Sequence, residues 1–202
     1  MPRTSSLRRT QPLTPMTFGL LGINFLVFLI EIRAGGSTNL ETLRQLGGLV
    51  PPAVWQQEEW WRVISANFLH SGWIHLSMNM FSLFLLGRLV ERWLGMGRFL
   101  LVYLLSGIGA MTAFAIAFAD NQEIILVGAS AAIMGLVGVI VAQSWLLWVK
   151  TRTLLARRRL VYILGILLLQ FSLDWLFPQI SFSSHLFGLL CGFAIAYVIL
   201  DR

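Results

Sequence analysis

The chain has 202 residues, of which 57% are hydrophobic and only 12% charged, with a formal net charge of +6, and its mean hydropathy is +0.76. A soluble domain of this length would carry about twice that charge. The composition therefore excludes an ordinary soluble enzyme and predicts an all-α, polytopic membrane protein. The single cysteine, Cys191, lies in an apolar run and excludes an intramolecular disulfide.

Residues 1–15 hold Arg3, Arg8 and Arg9 and no acid. This stretch is too short and too poor in apolar residues to be a signal peptide followed by a domain. It reads as a short cytoplasmic N-terminal tail, and residues 16–200 read as one membrane domain. A first span is expected from Met16 to Ile30, interrupted only by Asn24.

Arg33 to Gly72 is a long connection broken by Gly35-Gly36 and Pro51-Pro52. Trp55, Trp60 and Trp61 stand among Glu58, Glu59 and Arg62, the mixture of a segment lying in the membrane interface. The second span is expected from Ser71-Gly72 to about Val90, and the third from Phe99 to Ala119. The fourth runs from Ile124 to Val149, a stretch with no charge, long enough to cross a bilayer. The fifth is expected from Leu160 to Phe177 and the sixth from Pro178 to Leu200, giving a six-helix bundle.

With the N-terminus inside, twelve of the fifteen basic residues fall in cytoplasmic segments, and Arg33, Arg44 and Arg62 are left outside. That split follows the positive-inside rule with both termini in the cytoplasm. It makes Arg157-Arg158-Arg159 a topology anchor. The pI near 10.7 thus needs no nucleic-acid partner. A prokaryotic plasma membrane is the expected location, and oligomeric state is left open.

Inside the spans, His75, Asn79, Ser130 and His185 are costly polar residues, and such residues commonly face the bundle interior. Counting from the expected helix starts, Ser130 and His185 each lie roughly 10 Å below the outer surface at 1.5 Å per residue. His75 and Asn79, at roughly 6 and 12 Å, belong to the same layer and, spaced i and i+4, share one face. Gly188 and Gly192 follow His185 as G-x-x-x-G, a groove that permits close backbone contact with another helix. Gly128, Ala129 and Ala132 are suitable counterparts. A serine can also sit in a helix simply by bonding a carbonyl one turn back, and a lone histidine can be a packing residue. The common depth and the small-residue seam point instead to Ser130 as nucleophile and His185 as base. A metal site of His70, His75 and His185 would lack a carboxylate or thiolate to complete a familiar ligand set, so neither metal nor cofactor is expected.

From Trp60 to Tyr197 the motifs resemble the rhomboid family of intramembrane serine proteases. Trp61-Arg62 is similar to its Trp-Arg pair, and His70 to Met80 (His-Ser-Gly-Trp-Ile-His-Leu-Ser-Met-Asn-Met) to its His-Leu-x-x-Asn-Met helix start. Gly87, Glu91, Gly95 and Arg98 follow at the family's spacing. Gly128-Ala129-Ser130 is similar to the nucleophile motif, and Ser184-His185-Leu186-Phe187-Gly188 with Gly192 to the histidine motif. The resemblance implies a Ser130–His185 dyad without the Asp of a soluble triad. It also implies an oxyanion site of His75, Asn79 and the Ser130 backbone N–H, and substrates that are transmembrane proteins cut near the outer face of the lipid bilayer. The Trp60–Arg62 loop would be a structural support in the outer leaflet. Ala131, Met134 and Ser184 stand where the family commonly has Gly, an aromatic residue and Ala. A rhomboid-fold scaffold that binds transmembrane clients without cutting them is the alternative; retention of Ser130, His185, His75 and Asn79 favours the enzyme.

Overall fold

The computed structural model describes residues 13–176 and 181–200. The expected tail arginines Arg3, Arg8 and Arg9, the sixth-helix start at Pro178 and the terminal Arg202 lie outside the described residues. Within them the chain is helical, with one isolated backbone bridge and no strand.

Among the described residues, six helical segments are long and apolar enough to cross a membrane. The first is α1 (Pro15–Arg33), opened by a proline whose missing N–H costs nothing in a first turn. Three short helices follow, α2 (Leu40–Gln45), α3 (Pro51–Gln56) and α4 (Arg62–Ser65). The second crossing is α5 (Gly72–Ser82), a π-turn (Leu83–Gly87) and α6 (Arg88–Leu94) in one continuous helix. Then come α7 (Met96–Ala117), α8 (Ser130–Thr151), α9 (Leu154–Leu176) and α10 (Phe182–Leu200).

Helix α8 is the most enclosed, with Leu136, Val139 and Ala142 fully shielded, and it packs between α7 and α10. By contrast α9 leaves most of its apolar side chains exposed, Leu155, Ile166, Leu168 and Trp175 among them, as suits a lipid-facing helix.

Two helix boundaries differ from expectation. The fourth helix begins at Ser130, not Ile124, because residues 124–129 run as a non-helical segment. Leu126 exchanges two backbone hydrogen bonds with Leu49, each 2.9 Å. That segment is apolar because it packs on the loop, so hydropathy alone merges it with the helix. The fifth helix begins at Leu154, so Arg157, Arg158 and Arg159 ride on it rather than in a loop. Long arginine stems allow this by carrying their charge away from the apolar surface. Arg159 donates to Gln143 Oε1 at 3.2 Å and lies 5.2 Å from the centre of the Trp93 ring.

Buried polar contacts tie the bundle together. Glu91 accepts from Met16 N–H (3.0 Å), Thr17 N–H (2.8 Å) and Thr17 Oγ1 (2.6 Å). It thereby satisfies donors that the first turn of α1 cannot pair internally. In the α1–α5 connection, buried Arg62 donates to Glu59 (2.6 Å) and to the carbonyls of Arg44 (2.7 Å) and Gly48 (2.9 Å). Trp55 Nε1–H reaches Ala115 O at 2.8 Å, while Trp60 and Trp61 keep nearly half their surface exposed. The connection is therefore a folded cap on the bundle, with short helices of its own.

Candidate active site

The site begins with the segment before α8. Gly128 N–H donates to Ala66 O at 2.9 Å, which anchors the segment to the α4–α5 loop. Gly128 has φ +125, a conformation that residues with a side chain rarely adopt. Two residues later the chain enters α8, and Ser130 is its first helical residue, half-buried. A first-turn residue has a backbone N–H without an intrahelical acceptor, so the hydroxyl and free N–H groups share one end of the helix.

The second contributor is α5. His75 lies against Gly128: a Cβ on that glycine would stand 2.7 Å from His75 Cε1 and Nε2 and 3.7 Å from Ser130 Oγ. The imidazole and the serine hydroxyl thus flank one small space. Ser71 N–H donates to His75 Nδ1 at 3.3 Å. The neutral ring must then carry its proton on Nε2, the atom beside Gly128. Asn79, one turn further and buried, donates one amide hydrogen to His75 O at 3.1 Å. Its place on the same face is as the i, i+4 spacing requires.

The third contributor is α10. Its first turn is closed by Ser181, whose Oγ accepts from Ser184 N–H at 3.3 Å. A Cβ on Gly188 would overlap the backbone of Ala131, and one on Gly192 would overlap Gly135. The pairs 131–188 and 135–192 step by four on both helices, so α8 and α10 run parallel with backbones in contact. Gly138 extends the seam against Leu189 and Phe193. His185 lies one turn before Gly188, at the level where α8 begins.

The seam differs in detail from the expected one. Ala131, Gly135 and Gly138 are the counterparts on α8. Gly128 lies outside the helix and its close neighbour is the His75 ring, so its smallness serves the loop and not helix packing. Ser130 and His185 share the mouth of the bundle without a hydrogen bond between them. Such bonds are commonly long in unliganded catalytic sites and tighten with substrate.

His185 is held by a residue that the sequence reading did not single out. Its Nδ1 lies 2.8 Å from Asp174 Oδ2, on α9. The other carboxylate oxygen accepts from Gln170 Nε2 at 2.7 Å. The signal was present in the sequence: an acid in the last turn of an apolar span, four residues after a glutamine.

Carboxylates also lie nearer the histidines than the sequence suggested, since Glu31 Oε1 accepts from His70 N–H at 3.0 Å. No three His, Cys, Asp or Glu side chains among the described residues are arranged to hold a metal. His70, on the loop just before α5, is fully buried. Burial, reinforced by neighbouring His75 and opposed by the Phe68 carbonyl, pushes its imidazole down to about 3. Its ring centre is 5.2 Å from that of His75.

Residues 57–202 match the family described as Rhomboid domain. Rhomboid protease GluP of Bacillus subtilis is 34% identical over 182 residues, 89% of this chain and 34% of that protein. Putative rhomboid protease YdcA of the same organism is 34% identical over 145 residues, 71% of this chain and 69% of that protein. RHOMBOID-like protein 6, mitochondrial, of Arabidopsis thaliana is 36% identical over 159 residues, 79% of this chain and 50% of that protein. Against GluP and the Arabidopsis proteins numbered 4, 5 and 6, the chain spans 34–52% of their length. These relatives include plant and mitochondrial proteins as well as bacterial ones, so the expected prokaryotic plasma membrane draws no support from them. With six apolar helices and this match over most of its length, the chain is a multi-pass integral membrane protein that belongs to the rhomboid family.

Proposed function

We propose that the protein is an intramembrane serine endopeptidase that cleaves transmembrane protein substrates near the outer face of the membrane, with Ser130 as nucleophile and His185 as general base. The single observation that carries this reading is the α8–α10 backbone seam, with Ser130 and His185 at the same end of it. Names of relatives such as GluP support the reaction class.

In the proposed cycle, His185 takes the proton of Ser130 Oγ as that oxygen attacks the scissile carbonyl. The developing oxyanion is met by His75 Nε2–H, the free amide hydrogen of Asn79 and the Ser130 backbone N–H. His185 then passes its proton to the leaving amine. Water entering from the mouth of the bundle hydrolyses the acyl-enzyme, which gives a shallow site its purpose. With both termini in the cytoplasm, the orientation that the basic residues favour, that mouth opens to the outer side.

The test is cleavage of a model transmembrane substrate in liposomes, with fluorophosphonate labelling of the serine. Wild type should cleave and label at Ser130, and Ser130→Ala and His185→Ala should do neither while remaining folded. Intact substrate and an unlabelled serine in the wild type would replace the protease with a client-binding scaffold.

A further inference from the structure

We infer that Asp174 positions His185 for catalysis, making the site a Ser130–His185–Asp174 arrangement rather than an isolated dyad; the inference rests on the proposed protease reading. Asp174 touches neither the nucleophile nor the reacting carbonyl, and it acts through the imidazole.

The argument starts from cost. The Asp174 side chain is fully shielded and that of His185 is 9% exposed. An acid in a membrane-spanning helix is expensive unless each oxygen is partnered. Both are: Oδ2 faces His185 Nδ1 at 2.8 Å and Oδ1 receives the Gln170 amide at 2.7 Å. Gln170, one helical turn before Asp174, fixes the plane of the carboxylate and leaves it one free task.

Which ring nitrogen is bonded decides what that task is. A plain tether between α9 and α10 could use either nitrogen. A carboxylate only accepts, so Nδ1 carries the hydrogen and Nε2 is left with its lone pair. That is the tautomer able to take a proton from serine, and the carboxylate also stabilises the imidazolium that results. In this step the Ser130 O–H bond breaks and its proton goes to His185 Nε2. The oxygen's electron pair forms the bond to the scissile carbon, and the carbonyl π pair becomes the oxyanion. Asp174 gains no proton. His75, on α5, also lies within electrostatic reach of His185; its oxyanion role requires the opposite tautomer, set by Ser71 N–H. The two histidines thus have different backing groups and different protonated nitrogens.

The experiment uses the full chain with Asp174→Asn and Asp174→Glu, and with Ser130→Ala as the unreactive control. Turnover and KM are read on a reconstituted transmembrane substrate, fluorophosphonate labelling is read per folded molecule, and ring N–H protons are read by NMR on histidine-labelled protein. An Asn amide can donate to Nδ1 and select the wrong tautomer. Asp174→Asn should therefore lower kcat and the labelling rate by about 100-fold or more with KM nearly unchanged. Asp174→Glu should recover part of that loss. A strongly deshielded His185 Nδ1 proton should be present in wild type and lost in Asp174→Asn. Wild-type kcat and labelling in Asp174→Asn, or a loss that only follows the folded fraction, would overturn the inference and leave the protease reading standing. A wild type that neither cleaves nor labels would overturn both.

Discussion

The ring of His75 fills the space in which Gly128 would carry a side chain, with a Cβ there only 2.7 Å from Nε2. Gly128 also has φ +125. Gly128→Ala thus strains the backbone and displaces the proposed oxyanion donor. The expected result is a fall in kcat of about 100-fold or more, the scale of losing one such donor. Steady-state cleavage with the folded fraction measured in parallel checks this; Asn79→Ala, which removes one donor without straining the backbone at Gly128, should cost less.

Gly192 meets Gly135 backbone to backbone, with no flexible side chain able to yield. Gly192→Ala should destabilise the protein by at least about 1–3 kcal/mol, as overpacking does. Activity should fall further than stability, since the same seam sets the level of His185 against Ser130. Thermal unfolding in detergent and cleavage per folded molecule separate the two effects.

Glu91 is a stability residue far from the mouth. Glu91→Ala leaves the first-turn donors of α1 without their carboxylate acceptor. A loss of about 1.5–3 kcal/mol is expected from hydrogen bonds to a charged group. The folded fraction should keep near wild-type kcat. A large kcat defect at full folding would show that α1 has a role in the site.

His70 supplies a pH dependence. Its folded-state value near 3 lies below the ordinary 6.5, so the unfolded chain binds the proton more readily. Stability from this group is complete above about 6.5 and is lost as pH falls toward 3, by up to about 1.4 kcal/mol per pH unit. His70→Gln should flatten that part of the curve between pH 6.5 and 5 in denaturation measurements. An unchanged slope would mean that other groups, such as Glu31 beside it, dominate.

The sequence made the bundle and its layer of polar side chains legible because hydropathy reports lipid exposure and polar residues in a span stand out. Where hydropathy served two purposes it misled. Ile124 to Val127 are apolar for packing on the α1–α5 connection, and Leu126 pairs with Leu49, so the run is not helix. Ser130 therefore stands at the start of α8 rather than seven residues into a helix from Glu123. In the sequence, an acid near a span end such as Asp174 resembles an interfacial charge. Only the folding of α9 against α10 shows that it points inward, onto an imidazole eleven residues away.

The π-turn at Leu83–Gly87 adds, in effect, one residue to a single turn of the second crossing. From Asn79 to Glu91 a regular helix would rotate by about 1200°, leaving the two side chains about 120° apart around its axis. One residue absorbed in the wide turn reduces the offset to about 20°. The same rod can then present its amide to the proposed oxyanion pocket at one end and its carboxylate to the start of α1 at the other. Removing a residue from this turn would swing one of those faces out toward lipid, uncoupling the anchor from the chemistry without altering either group.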